Sequence, residues 1–181
     1  VVVAATSPQN TPRRLIPSMR DAALGSGYAT VLETYESSRD LRAAVSEVDD
    51  RWTEQHWIHG NLNETNVIVE QRPALRVSFV DLDDAGLGDP AWDLASAADT
   101  IAWLSPRWRA MPQLLMENLL QGYRRAGGPG WLYPAIQAVR SLATALRVAG
   151  SAHESNRLDE ERADLAVLLE RARVYAARVG C

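Results

Sequence analysis

Residues 56–70 read HWIHGNLNETNVIVE, and residues 77–95 read VSFVDLDDAGLGDPAWDLA. They hold two short apolar runs, Val67–Val69 and Val77–Val80, and each run touches polar residues that a core strand does not carry without reason. His59, Gly60, Asn61 and Asn66 lie before the first run or at its start, and Asp81, Asp83 and Asp84 follow the second. Pro73 stands between the runs, so a turn belongs there and the pair reads as a β-hairpin. A hairpin brings the residues before its first strand close to those after its second. Asn66 and Asp81 are then expected to be neighbours in space, and their side-chain oxygens suit a hard divalent cation.

Outward from this stretch the pattern is helical. Leu41, Val45, Val48 and Trp52 recur at helical spacing, and Ser38 can cap the start, which predicts a helix over 39–52. Residues 28–35 read as a shorter helix, with Gly25 and Gly27 ahead of it. After the hairpin, Asp89-Pro90 is a helix opening: the carboxylate accepts orphan backbone N–H groups, and proline in the first turn loses no needed donor. That helix is expected to run to about Trp103 and to end at Pro106. A third fits 112–126, stopped by Gly127-Gly128, and a long one fits 133–153. Asn156–Glu160 reads as a turn. Leu165, Leu168, Leu169, Ala172, Tyr175, Ala176 and Val179 then form one stripe of a last helix over 161–179. Residues 1–20 hold three prolines and no clear period, so they read as an irregular lead-in, with Val1–Ala5 packed as a strand or helix end. The fold class is α+β, mostly helical, with one small hairpin.

A length of 181 residues predicts one domain with a substantial core. The net charge of −4 gives no general pull toward nucleic acid or an anionic membrane, and the apolar runs are too short to span one. The apolar start has no charged segment before it and is too short for a secretory signal. The chain does not begin with methionine, which suggests processing, truncation or a split gene. A lone Cys181 excludes an internal disulfide and fits a reducing cytoplasm. All 19 basic residues are arginine, in keeping with a GC-rich coding bias. The six tryptophans are expected mainly in the core, with Trp108, between Arg107 and Arg109, exposed on a loop that could contact an anionic or peptide partner. His56 and His59 are too few for a zinc site.

The segment HGNLNETN resembles the H-G-D-x-x-x-x-N catalytic loop of the aminoglycoside phosphotransferase and choline kinase family, and VDLDDAGLGDPAWDLA resembles its metal-binding segment and following helix. Two such segments in order and closely spaced are more specific than either alone. The resemblance implies a protein-kinase-like C-terminal lobe over the whole chain, with the N-terminal lobe absent. It assigns Asn66 and Asp81 to metal binding, with Asp83 or Asp84 able to join the shell. His59 is implied to hold the loop by hydrogen bonds, and Asp93 to anchor the loop's backbone from the helix behind it. Asp89 remains a cap. The family's catalytic aspartate falls on Asn61. An amide forms hydrogen bonds but is no useful base, and losing a general base typically removes a factor of about 10²–10⁴. A kinase-like site also uses a strand lysine on the nucleotide phosphates, and this chain has neither a lysine nor a glycine-rich loop ahead of the motif.

Two functions follow from the resemblance. In the first, the chain is a degenerate, pseudokinase-like binding or scaffold component. By analogy it would serve a bacterial modified-peptide pathway, and a partner protein or homodimer would cover the apolar face of its open cleft. In the second, it is an active phosphotransferase acting on a small-molecule or Ser/Thr hydroxyl. The second lobe would then be supplied elsewhere, Mg²⁺ and ATP would be required, and Asp83 or Asp84 could act as a relocated base.

Overall fold

The structure is a computed structural model. It describes residues 15, 26–71, 73–104, 112–128, 131–155 and 158–179. The expectations for the lead-in, for Pro106, for the Trp108 loop and for Cys181 fall outside the described residues. The chain divides into two compact units, one holding Thr53–Leu132 and the other residues 15–52 and 133–179.

The second unit is helical. Helix α1 spans Ser26–Ser37 and α2 spans Arg39–Arg51. The Ser38 side chain accepts the Leu41 N–H at 3.2 Å, which satisfies one of the donors that a helix start leaves orphaned. Leu41, Ala44, Val45 and Val48 form the buried face of α2. Helix α5 (Pro134–Ser155) buries Ile136, Val139, Leu142 and Leu146, and α6 (Leu158–Ala176) buries Leu165, Leu168, Leu169, Ala172 and Ala176. Each fully buried Leu or Ile contributes about 1.5–3 kcal/mol. Gly27 of α1 lies against α5, where an added Cβ would meet the Ala149 Cβ at 3.1 Å. The Arg51 guanidinium stacks 4.4 Å from the centre of the Tyr133 ring. Helix α6 starts at Leu158, inside the stretch read from sequence as a turn. The acidic run Asp159–Glu161 suits the positive end of a helix, which explains the earlier start.

The first unit carries the strands. Strands β2 (Val67–Glu70) and β3 (Arg76–Phe79) form the expected antiparallel hairpin, with Val67 opposite Phe79 and Val69 opposite Val77. A second pair, unforeseen in the sequence, joins β1 (His56–Ile58) to β4 (Gly86–Gly88) antiparallel, with Trp57 opposite Leu87. Helix α3 (Pro90–Leu104) begins as the sequence predicts: Asp89 Oδ1 accepts the Ala91 N–H at 2.9 Å. Helix α4 (Pro112–Arg125) ends in a left-handed glycine cap. Gly127 sits at φ 74°, and the Gly128 N–H donates to the Tyr123 carbonyl at 3.0 Å.

The tryptophans correct one expectation. Trp52 and Trp92 are buried, but Trp57 is 62% and Trp131 61% exposed. The hairpin also differs from a core hairpin. Val67, Val69, Val77 and Phe79 share a face by register, and the last three are each about half exposed.

Candidate functional site

The site is built on the loop from His59 to Asn66, between β1 and β2. Asp93, one turn into α3, fixes its first residues. Its two carboxylate oxygens accept consecutive backbone N–H groups, His59 N at 2.5 Å and Gly60 N at 3.0 Å. Gly60 adopts φ 80°, a left-handed conformation suited to glycine, which turns the chain after these two donors. Trp92 Nε1 donates to the Gly60 carbonyl at 2.9 Å, and Ser96 Oγ donates to the Leu62 carbonyl. Three side chains spaced along α3 thus hold three residues of the loop, His59, Gly60 and Leu62.

His59 ties the loop to the hairpin. Its Nε2 lies 2.9 Å from the Val80 carbonyl oxygen, which can only accept, so Nε2 carries the proton. The buried Nδ1 then presents a lone pair without a hydrogen-bond partner among the described residues. The ring meets Phe79 edge-on at 6.4 Å.

Asn66 continues the hairpin ladder, since the Val80 N–H donates to the Asn66 carbonyl at 3.0 Å. Asp81 is the next residue, so the hairpin places the two backbones side by side. Asn66 is 4% exposed, and its Nδ2 donates to the Asn61 carbonyl at 3.0 Å, which leaves Oδ1 as the available end. The Thr65 hydroxyl lies 3.1 Å from that Oδ1 but 2.6 Å from Asn63 Oδ1. One hydroxyl has one proton, and the shorter contact takes it, so Asn66 Oδ1 keeps its lone pairs. Asp81 is exposed and makes no side-chain capping bond, although it precedes the short turn Leu82–Asp84. Its φ of 59° is a left-handed conformation, uncommon for a residue with a side chain. An amide oxygen with free lone pairs and, one residue beyond the facing strand, an exposed carboxylate are the kinds of oxygen that hard divalent cations take. Asp83 is exposed on the same turn and Asp84 is partly covered. Among the described residues no three His, Cys, Asp or Glu side chains cluster as a metal site, so a cation here would take the rest of its shell from water or a ligand.

Asn61 is partly exposed and is contacted by Asn63, whose Nδ2 lies 3.1 Å from its Oδ1 and 3.3 Å from its carbonyl oxygen. Asn63 is buried and was not singled out by the sequence reading; an asparagine two residues before a threonine looks like an ordinary turn former. Tyr123 of α4 also escaped that reading. Burial raises its phenol pKa above the usual 10.0, and the negative charges of Asp93 and Asp89 push it the same way. No spacing in the sequence could have linked a tyrosine on α4 to the carboxylates of α3.

Beside the loop lies a cavity of about 460 Å³. Trp57, Ile58, Leu62, Phe79, Leu82 and Ala85 make its wall apolar, with His59 and Asp93 as the polar exceptions. No described helix is long and apolar enough to cross a membrane. The sequence model described as the phosphotransferase enzyme family matches residues 6–139, well over half of the chain. No curated protein matches it.

Proposed function

The chain belongs to the phosphotransferase enzyme family, and from that premise we propose that it is a degenerate, non-catalytic member that acts as a binding or scaffold subunit with a partner polypeptide. One observation carries the reading. Helix α3 holds the loop at His59, Gly60 and Leu62, on both sides of Asn61, yet an amide stands at Asn61, where the family's pattern has an acid. The scaffold for phosphate chemistry is kept and the proton acceptor is not.

The partner is supported by the uncovered apolar surface of Trp57, Val69, Val77, Phe79 and Leu82, each more than half exposed. Full burial of side chains of this size contributes about 1.5–3 kcal/mol apiece, and covering the half still exposed would favour a second polypeptide or a second copy there by part of that. Asn66 and Asp81 would hold Mg²⁺, and the ion would neutralise charge on a phosphate. Residues 1–181 offer no lysine for nucleotide phosphates, so ATP would depend on residues outside them. A single cysteine fits work in a reducing cytoplasm.

Calorimetry of the chain with Mg²⁺–ATP tests this. No saturable heat in the micromolar range is expected, and Asn61→Asp is expected to create no phosphate transfer by the chain alone. Saturable micromolar binding contradicts the reading. A second reading, an active phosphotransferase completed by another segment, is favoured by the lone pairs kept free on Asn66 Oδ1 beside Asp81. It requires that Asp81→Ala abolish turnover in the completed assembly.

A further inference from the structure

Three hydrogen bonds decide which end of the Asn61 side chain is available to a ligand. The Thr65 backbone N–H can only donate, and it lies 2.9 Å from one end of the Asn63 amide. That end is therefore the oxygen, and it also takes the Thr65 hydroxyl at 2.6 Å. The other end of Asn63 is the NH₂ group, which can only donate, and it lies 3.1 Å from the Asn61 side chain. The atom it meets must be an acceptor, so Asn61 Oδ1 faces Asn63 and Asn61 Nδ2 is turned away. Among the described residues Nδ2 has no partner. A buried asparagine thus sets the polarity of a partly exposed one.

We propose that Asn63 is a positioning residue that holds the Asn61 NH₂ outward as a hydrogen-bond donor for a phosphoryl-type oxyanion. The inference rests on reading this loop as a phosphate-handling loop. A carboxylate at the same point would repel a phosphoryl oxygen; the amide, held in this orientation, donates to it. The charge of Asp81 and Asp83 argues for an oxyanion that arrives with a divalent cation, for which Asn66 Oδ1 is free. The substitution at position 61 therefore changes what the loop recognises, from a hydroxyl proton to an oxyanion. It does more than delete a base.

The test uses the full chain labelled with ¹⁵N and titrated with Mg²⁺–pyrophosphate, following the Asn61 side-chain NH₂ resonances. They are expected to shift and to saturate at millimolar probe, weaker than the micromolar binding that the non-catalytic reading excludes. Asn61→Asp keeps an oxygen facing Asn63, so it is expected to fold, and it should weaken binding about tenfold or more by replacing a donor with a charge. Asn63→Asp still accepts from Thr65 but now presents an acceptor to Asn61, so it should turn the Asn61 amide round. The Asn61 NH₂ resonances would then move before any probe is added, and binding would weaken without a change at position 61. If Asn63→Asp does not fold, Asn61→Asp decides alone. Binding by Asn61→Asp as tight as by the parent chain overturns the proposal, as do Asn61 resonances that stay still at saturating probe. Phosphate transfer by the parent chain would contradict the non-catalytic reading instead, and the titration would still decide the amide.

Discussion

Asp93→Asn changes one atom and tests how the loop is held. Two buried backbone N–H groups, His59 and Gly60, depend on the two oxygens of one carboxylate. Asparagine supplies one oxygen, and its NH₂ end meets the second N–H donor to donor. One charge-assisted bond is weakened, one is lost, and a buried donor is left without water or protein to satisfy it. Together these cost about 2–4 kcal/mol. Urea unfolding followed by tryptophan fluorescence reads the loss, and hydrogen exchange at His59 and Gly60 reads its location. Exchange should speed up at one of the two amides first, because asparagine can still serve the other. A loss under about 0.5 kcal/mol with exchange unchanged at both would refute the reasoning, since a satisfied pair cannot lose its acceptor at so little cost.

Other outcomes follow from single features. Gly127→Ala forces a side chain into φ 74° with open space around it, so the penalty is backbone conformation alone, about 1–2 kcal/mol by urea titration. Ser38→Ala removes the α2 cap and should cost about 1 kcal/mol in the same assay. Tyr123 titrates higher folded than unfolded, so its contribution is complete below pH 10.0 and is lost as pH rises through the raised value. Tyr123→Phe should flatten the alkaline fall in stability, and an unchanged alkaline slope would count against the placement of the phenol. Paired Val69→Thr and Val77→Thr changes touch an exposed face and should leave stability nearly unchanged, while retention of a co-purifying partner should fall.

The hairpin was legible because Pro73 punctuates two apolar runs and because a turn there fixes the register. The helix openings at Ser38 and Asp89 were legible for a similar reason: a short polar side chain before an apolar period has one good use. The β1–β4 pair was not, since three residues carry too little alternation and the glycines of β4 are depleted in strands. The exposure of Val77 and Phe79 was equally hidden, because apolar alternation marks a face that wants cover without saying whether this chain supplies it. In the candidate site, the hairpin reading put Asn66 beside the residues that lead to Asp81, and the resemblance implied a contact from Asp93 to the loop backbone; the structure has both contacts. The part of Asn63 was not legible, since its effect depends on which end of an amide meets a backbone donor, a fact of three-dimensional geometry.

Phosphate release from millimolar Mg²⁺–ATP by the chain, measured beside Asp81→Ala, bears most directly on the claim that an amide has replaced the working acid. Release at the uncatalysed background for both proteins is the predicted result. Release well above background that disappears in Asp81→Ala would show a working metal-dependent centre, and the claim would fall.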